Sequence, residues 1–144
     1  MLLIFEAYQL DTAVAILKQI PEFEGDFTID LLEKRLLDTP IILVAFSDDI
    51  PVACKIGYDR YHDGSFYSWL GGVLPEYRRK GIAEKLNAKL EKCVAAKGYT
   101  SMVFKTRNKF RYMLHFGLKN GYQIIGFEKK DDPSENRIIL KKEL

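Results

Sequence analysis

The amino-acid sequence predicts an α/β fold in which helices lie on both faces of a mixed, mostly antiparallel β-sheet. Apolar residues change between helical and strand spacing along the 144 residues, and they give the element order β-α-α-β-β-β-α-β-α-β-β. Strand pairs typical of antiparallel hairpins flank a central β-α-β unit, whose two strands should run parallel with a right-handed crossover. Hydrophobic residues make up 47% of the chain and charged residues 29%, which is typical of one folded domain, here expected to span residues 1–144.

The first part of the chain is predicted to contain a strand followed by two short helices. The opening segment LLIFEAYQ has the composition of a strand. Asp11 can cap a first helix that ends before Pro21, and Asp30 or Thr28 can cap a second helix that ends before Pro40. Between the two helices lies the acidic segment PEFEGDF, which is predicted to form a loop.

The central part is predicted to form a hairpin, a third strand and the longest helix. The runs IILVAFS and PVACKIGYD, separated by DDI, form the hairpin. The segment GSFYSWLGGVL follows as a strand that contains the glycine pair Gly71–Gly72. Residues 81–97 carry apolar side chains at helical spacing from Ile82 to Val94, and Gly98 is suited to end that helix.

The last part is predicted to contain a strand, a helix and a closing hairpin. TSMVFKT is a strand, and NKFRYMLHFGLKN is a helix that starts at Asn108. YQIIGFEK and NRIILKKEL are strands that pair across the turn DDPSE.

Several classes of protein are disfavoured by the sequence. The segment MLLIFEAY contains Glu6 and lacks a basic flank, so it is predicted to be a strand rather than a signal peptide, and no run approaches the ~20 apolar residues of a membrane helix. Cys54 and Cys93 are expected to be small core residues rather than a disulfide framework. His62 and His115 have no thiol or carboxylate at metal-ligand spacing. A cytoplasmic protein without a metal site is expected.

Charge is distributed unevenly and points to an anionic ligand. Residues 76–111 contain 11 Lys or Arg against 3 Asp or Glu, whereas residues 1–75 contain 5 against 12. Three of these cations, Arg78, Arg79 and Lys80, directly precede the longest predicted helix, although the helix macrodipole favours anions at that end. The first helical turn also presents main-chain N–H groups without internal partners. A multiply charged phosphate would therefore resolve the conflict between the cations and the dipole.

The common phosphate-binding motifs do not account for this segment. The chain contains neither G-x-x-x-x-G-K-[ST] nor G-x-G-x-x-G. What it contains is R-x-x-G-x-A, placed between a predicted strand and a predicted helix, where Gly81 and Ala83 allow another molecule to approach the N–H groups.

The segment VLPEYRRKGIAEKL resembles the acetyl-CoA-binding segment of the GNAT superfamily of N-acetyltransferases. The signature of that family is [Q/R]-x-x-G-x-[G/A] after a strand that ends V-x-P-x-Y-R, and LKNGYQIIGFE resembles its closing K-x-G-F segment. The resemblance covers the whole chain and extends to the element order. It implies a GNAT-like fold and the transfer of an acetyl group from acetyl-CoA to a primary amine of a small molecule or a protein, by direct attack on the thioester.

The resemblance also implies roles for particular residues. Main-chain N–H groups of residues 78–84 would hold the pyrophosphate of coenzyme A, and the strand before them would diverge from the strand after the helix so that pantetheine enters between the two. The residues implied to bind the cofactor are Gly72, Val73, Leu74, Arg78, Arg79, Lys80, Gly81, Ile82, Ala83, Glu84, Asn108 and Phe116.

The catalytic residues are not identified by the resemblance. Many members of the family place a tyrosine four residues before the glycine of the closing segment, as the acid that protonates the leaving thiolate. Here that glycine is Gly121, and the corresponding position is Gly117. Tyr67 and His115 are weak candidates, and Glu22 is a third; Tyr112 lies on the same predicted helix as His115 but at a different angle.

Other functions remain open. A domain of this fold that binds acyl-CoA without robust catalysis would account for the glycine at position 117, and nucleic-acid binding through residues 76–111 is disfavoured because no stacking aromatic pattern accompanies the cations. Neither nucleic acid nor a membrane is an expected partner, and a homodimer stays open. The acidic segment PEFEGDF can simply serve solubility; in the family that the chain resembles, however, the region between the first two helices contacts the acceptor, and the resemblance therefore implies a cationic amine as acceptor.

Overall fold

A computed structural model of the chain describes residues 1–23 and 27–144, and these residues contain seven strands and four α-helices. In chain order the elements are β1 (Leu2–Glu6), α1 (Leu10–Leu17), α2 (Ile29–Arg35), β2 (Ile41–Ser47), β3 (Ile50–Tyr58), β4 (Ser65–Val73), α3 (Ile82–Ala96), β5 (Ser101–Arg107), α4 (Arg111–Lys119), β6 (Gln123–Glu128) and β7 (Arg137–Glu143). Short 3₁₀ turns at Pro75–Tyr77 and Pro133–Glu135 precede α3 and β7. The predicted element order is confirmed.

The strands of the described residues form one sheet in the order β1-β2-β3-β4-β5-β7-β6. Each neighbouring pair is antiparallel except β4 and β5, which are parallel. This confirms the predicted mixed sheet and both predicted hairpins, β2–β3 and β6–β7. The last strand of the chain lies between β5 and β6, so β6 and β1 are the two edges of the sheet.

Helices cover both faces of the sheet, as predicted. On one face, here called the α1/α2 face, the two N-terminal helices pack against a core that includes Cys54, Ile56 and Tyr67. On the other, the α3/α4 face, α3 and α4 pack against a core that includes Phe66, Met102 and Leu140. Successive residues of a strand point to opposite faces, so Phe66 and Tyr67 belong to different cores.

The helix starts differ in part from those predicted. Gln9, not Asp11, precedes α1, and Asp11 lies inside its first turn. Thr28 caps α2, because its hydroxyl accepts a hydrogen bond from the amide of Leu31 at 3.2 Å. The prediction that the last helix starts at Asn108 is wrong, because the amides of Asn108 and Lys109 donate to the carbonyls of Asn136 and Ser134, in the β6–β7 connection, and α4 starts only at Arg111.

The two cysteines lie in surroundings that disfavour the reactive thiolate form. Cys54 is buried on the α1/α2 face, its Sγ lies 3.8 Å from the carbonyl oxygen of Ala13, and burial raises its pKa to about 12. Cys93 is half-buried on α3, where burial and then the hydrogen bond to Glu6 at 3.3 Å raise its pKa. Both are unpaired thiols, in line with the predicted role as small core residues. In the described residues no helix is long and apolar enough to cross a membrane.

We expect Gly57→Ala to destabilise the fold. A Cβ at this position of β3 would lie 2.5 Å from Cε1 of Phe66 and 2.6 Å from the carbonyl oxygen of Tyr67, so a strand of the sheet would have to move. The free energy of unfolding in urea should fall by about 1–3 kcal/mol. The control is Gly126→Ala on β6, where the nearest atom to a new Cβ is 3.8 Å away and the expected change is within about 0.5 kcal/mol. Equal losses in the two variants would contradict this interpretation.

Candidate active site

The central feature of the site is a gap inside the sheet. The parallel strands β4 and β5 pair at only three positions, where Ser65–Tyr67 lies against Ser101–Val103. Beyond Tyr67, β4 stays paired with β3 as far as Val73, and β5 stays paired with β7 as far as Arg107. The two strands therefore diverge from each other while each keeps its outer neighbour. We call this space the β4–β5 gap; Tyr67 marks its closed end.

Main-chain groups of β4 face this gap. The amide of Leu74, the residue after β4, donates to the carbonyl of Val52 in β3 at 2.9 Å. Because the groups of successive residues point to opposite edges of a strand, those of Val73 face the gap. Of the three predicted residues Gly72, Val73 and Leu74, Val73 thus presents its main chain to a ligand there. Gly72 has another role, because a Cβ at position 72 would collide with the Cδ1 atom of Ile20, in the α1–α2 connection.

The open end of the gap meets the start of α3, where main-chain amides converge. Arg79 and Gly81 have φ angles of +63° and +77°, in the left-handed region, and helical hydrogen bonding begins at Lys85, whose amide donates to the carbonyl of Gly81 at 3.1 Å. Within the described chain, none of the amides of residues 79–84 donates a main-chain hydrogen bond to another element. Left-handed residues in such a turn direct successive N–H groups into one concavity, which binds anions. We call residues 79–84 the amide nest.

The three cations that precede α3 differ in their contacts: Arg78 is paired within the chain, whereas Arg79 and Lys80 are exposed. Arg78 donates two hydrogen bonds to the carboxylate of Glu22, at 2.9 and 2.7 Å, and its Nε donates to the carbonyl of Val73 at 3.0 Å. The amide of Arg78 donates to Pro75 at 3.3 Å, so neither its main chain nor its side chain belongs to the nest. Arg79 and Lys80 contribute their amides to the nest, and their side chains are exposed. The Lys80 ammonium lies 5.4 Å from the ring centroid of Tyr77.

The Arg78–Glu22 pair ties the α1–α2 connection to the gap. Glu22 is the one acidic residue of the PEFEGDF segment that lies among the described residues. Its negative charge is neutralised within the chain by Arg78. The hydrogen bonds from Arg78 hold the pKa of Glu22 below its usual value, against a smaller opposing effect of burial. Glu24 and Asp26, the other acidic residues of that segment, lie outside the described residues.

The remaining predicted cofactor residues lie around the nest and the open end of the gap. Ile82 is buried in the α3/α4 core, whereas Ala83 and Glu84 are exposed, and Glu84 pairs with Lys119 of α4 at 3.1 Å. Asn108 follows β5, but its side-chain amide donates to the carbonyl of Pro133 at 3.2 Å. Phe116 is half-buried on α4.

Position 117 cannot hold a tyrosine in this packing. Gly117 is buried, and a Cβ there would lie 2.8 Å from Cζ of Phe104 and 3.0 Å from Cδ2 of Leu140. The glycine is thus required by the close approach of α4 to the sheet.

The two weak catalytic candidates are not brought together. Tyr67 packs in the α1/α2 core, and burial raises its pKa against the opposing charges of Arg60 and Lys105. His115 is exposed on α4, a helix of the α3/α4 face. Tyr112, which the sequence places on this helix without making it a candidate, lies in the first turn of α4 with 56% of its surface exposed, and both charges of the Arg78–Glu22 pair affect its pKa. Partial burial and then Glu22 raise the pKa of Tyr112, and Arg78 lowers it.

Comparison with known proteins gives a consistent result. The model of the family described as "Acetyltransferase (GNAT) family" matches residues 6–122. The structure of the ribosomal-protein-S18-alanine N-acetyltransferase from Escherichia coli has a TM-score of 0.85 at 15% identity, with 99% of this chain and 94% of that chain covered.

Two further solved structures contain the donor or its product. The PaiA N-acetyltransferase from Thermoplasma acidophilum, in complex with coenzyme A, has a TM-score of 0.74 at 17% identity and covers 100% of this chain and 99% of its own. A GNAT family acetyltransferase from Elizabethkingia anophelis with acetyl-CoA bound has a TM-score of 0.76 at 16% identity and covers 99% and 98%. At these identities the likeness establishes the fold.

The Arg78–Glu22 pair should contribute stability that depends on pH. Because the pKa of Glu22 is lowered in the folded state, its contribution is present above the unfolded value of about 4.3 and is lost as the pH falls through the folded value. Since both side chains are partly exposed, we expect Glu22→Gln to cost no more than about 1 kcal/mol at pH 7 and less at pH 3, as measured by urea unfolding.

The control for this prediction is Glu143→Gln, which removes a more exposed carboxylate from the Lys141–Glu143 pair. It should change the free energy of unfolding by less than about 0.5 kcal/mol at pH 7. A loss in Glu22→Gln that is as large at pH 3 as at pH 7 would show that packing, rather than charge, is involved.

Proposed function

The chain belongs to the GNAT family of acetyltransferases, and on that premise we propose that it transfers the acetyl group of acetyl-CoA to a primary amine. The observation that carries the proposal is the β4–β5 gap, which opens onto the amide nest at the start of α3. A long, thin donor with two amides and a pyrophosphate suits such a site, because a gap with main-chain edges and a nest of N–H groups lie end to end.

The amide nest is proposed to hold the pyrophosphate. Its N–H groups and the positive end of the α3 macrodipole both favour an anion. Arg79 and Lys80 add charge, which accounts for cations at a helix end that otherwise repels them. Arg78 has a different role, because Glu22 neutralises its charge. Its hydrogen bonds to Glu22 and to the carbonyl of Val73 hold the loop before α3 in position.

The gap is proposed to hold the pantetheine arm. The main chain of Val73 can pair with an amide of the arm as a neighbouring strand would. In the structure the carbonyl of Val73 already accepts a hydrogen bond from Arg78, so an arriving amide must share this oxygen or displace the guanidinium. Phe116 on α4 is proposed to line the same arm.

The reaction is proposed to be direct aminolysis of the thioester. The neutral amine forms a bond to the carbonyl carbon, the carbon–sulfur bond breaks, one amine proton is lost, and coenzyme A leaves as a thiol once its sulfur is protonated. Tyr112 is proposed to stabilise the leaving thiolate by a hydrogen bond, because a phenol has an ordinary pKa of about 10 and is therefore a protonated donor at neutral pH. This role takes the place of the tyrosine for which position 117 has no room.

A second function is an acyl-CoA-binding domain that no longer catalyses. The packing of Gly117 against Phe104 favours it, because the phenol expected on α4 is missing from that position. The two functions share donor binding and differ in turnover, so both measurements are needed.

We expect Gly81→Glu to weaken acetyl-CoA binding by more than about tenfold, because it places a carboxylate at the amide nest and a side chain at a left-handed residue. Isothermal titration calorimetry measures this. The control is Gly98→Glu at the other end of α3, where φ is +94° and a Cβ likewise meets no atom within 4 Å. Gly98→Glu should have a similar cost in stability but leave acetyl-CoA binding unchanged. Equal weakening in both variants, or no binding to the wild type, would contradict the proposed donor site.

We expect Tyr112→Phe to lower kcat by about 100-fold with little change in KM for acetyl-CoA, because the lost hydrogen bond matters mainly in the transition state. Release of coenzyme A with a panel of amines measures it. Tyr67→Phe is the matched control on the α1/α2 face and should lower kcat by less than about threefold. The reverse order would assign the role to Tyr67, and donor binding without release from the wild type would favour the binding domain.

A further inference from the structure

A row of four aromatic rings extends from the closed end of the β4–β5 gap along the α1/α2 face. Tyr58 lies edge to face with both Trp69 and Tyr67, at 5.7 Å between ring centroids in each case, and Tyr61 lies 6.0 Å from Tyr67. Tyr67 is the last residue of β4 that pairs with β5, and Trp69 lies two residues farther along β4, beside the gap. The four rings thus form a continuous aromatic surface next to the point where β4 and β5 separate.

An arginine covers each end of this row. The guanidinium carbon of Arg60 lies 4.8 Å from the ring centroid of Tyr67 and 5.5 Å from that of Tyr61. The guanidinium carbon of Arg35, at the end of α2, lies 5.6 Å from the ring centroid of Trp69. Aromatic rings attract these cations but do not neutralise their charge.

These two arginines differ from three other cations near the gap, each of which is paired with a carboxylate. Lys105 pairs with Glu128 at 2.9 Å, Arg107 with Glu135 at 3.3 Å, and Arg78 with Glu22. In the part of the chain that the structure describes, neither Arg35 nor Arg60 forms an ion pair with a carboxylate.

The carboxylates nearest to Arg60 in the sequence have other partners. Asp59 accepts a hydrogen bond from the hydroxyl of Tyr99 at 2.9 Å, and Asp63 accepts one from the hydroxyl of Ser65. With respect to the residues that the structure describes, the two guanidinium groups at the aromatic row therefore keep hydrogen-bond donors for a ligand.

We propose that the amine acceptor also carries a carboxylate, and that Arg60 binds it beside the closed end of the gap; Arg35, over Trp69 at the other end of the row, is a second guanidinium group suited to the same ligand class. The guanidinium fork matches a carboxylate in two parallel hydrogen bonds, and stacking on a ring holds the fork in place before the ligand arrives. The inference rests on the proposed function for the identity of the reacting amine. This ligand class differs from the cationic acceptor suggested by the acidic PEFEGDF segment, in which the carboxylate of Glu22 is paired with Arg78.

Binding can be tested without turnover, because Trp69 is the single tryptophan of the chain. Its fluorescence is followed while the protein saturated with coenzyme A is titrated with pairs of compounds that differ by one carboxylate: phenylalanine and phenethylamine, leucine and isopentylamine, glutamate and γ-aminobutyrate. For at least one pair, the compound with the additional carboxylate should bind at least about tenfold more tightly. Equal or weaker binding of that compound in all pairs overturns the inference, whether or not the protein is active.

Variants connect this preference to the two arginines. Arg60→Gln should reduce the preference to less than about threefold, and Arg60→Lys, which keeps the charge but not the fork, should retain part of it. Lys34→Gln is the matched control, because it removes the neighbouring cation on α2 and leaves Arg35 in place; it should leave the preference unchanged. An unchanged preference in both Arg60→Gln and Arg35→Gln, each shown to be folded by its melting temperature, overturns the assignment.

The two proposals fail in different ways. Release of coenzyme A with the same pairs gives kcat/KM, and the compound with the additional carboxylate should again be preferred by about tenfold. Tight carboxylate binding without release would contradict the proposed enzyme while supporting this ligand class. If coenzyme A is released at equal rates with each amino acid and with its decarboxylated amine, the result would support the proposed enzyme and overturn the inference that the acceptor carries a carboxylate. Phosphoethanolamine, compared with ethanolamine, completes the panel, and a preference confined to that pair would replace the carboxylate by a phosphate and so overturn the inference as stated.

Discussion

The separation of β4 from β5 is the constraint on which the site depends. Main-chain N–H and C=O groups within a sheet require partners, and here two interior strands are left unpaired toward each other over part of their length. The arrangement is held because each strand stays paired with its outer neighbour, with one shift of register between β3 and β4 at Ile56/Gly57, and because separate helical layers pack on the two faces. Arg78 provides a partner for the carbonyl of Val73 from the side chain. The gap is thus a built feature of the fold, with part of its hydrogen bonding supplied from within the chain.

The same arginine explains how cations accumulate at the positive end of a helix. The charge of Arg78 is neutralised by Glu22. The positive charge that the helix macrodipole disfavours is therefore that of Arg79 and Lys80, whose side chains are exposed to solvent. The pair with Glu22 has a second effect: it removes negative charge from the α1–α2 connection. The start of α3 and the α1–α2 connection are therefore linked by one ion pair, and the charge of each cannot be assessed from its own segment alone.

Local patterns in the sequence predicted most of the fold but only part of the site. Strand boundaries, the long helix and the R-x-x-G-x-A segment follow from periodicity and from residues close together in the chain, so they could be found there. The pairing of Glu22 with Arg78, the approach of Ile20 to Gly72 and the contact of Gly117 with Phe104 join distant residues, and no local pattern indicates them. Gly72 illustrates the difference. A glycine within a strand is typical of a close approach by another group, and here the group that approaches is the side chain of the chain's own Ile20.

The protonation state of the two cysteines has a practical consequence for biochemistry. A thiol reacts with disulfide reagents through its thiolate, and the pKa values of Cys54 and Cys93 are both raised, with Cys54 also shielded beneath α1. In the folded protein these sulfurs will compete poorly for a chromogenic disulfide near neutral pH. Free coenzyme A, a small exposed thiol, will react much faster. A continuous colorimetric assay of free coenzyme A can therefore run with the reagent present throughout.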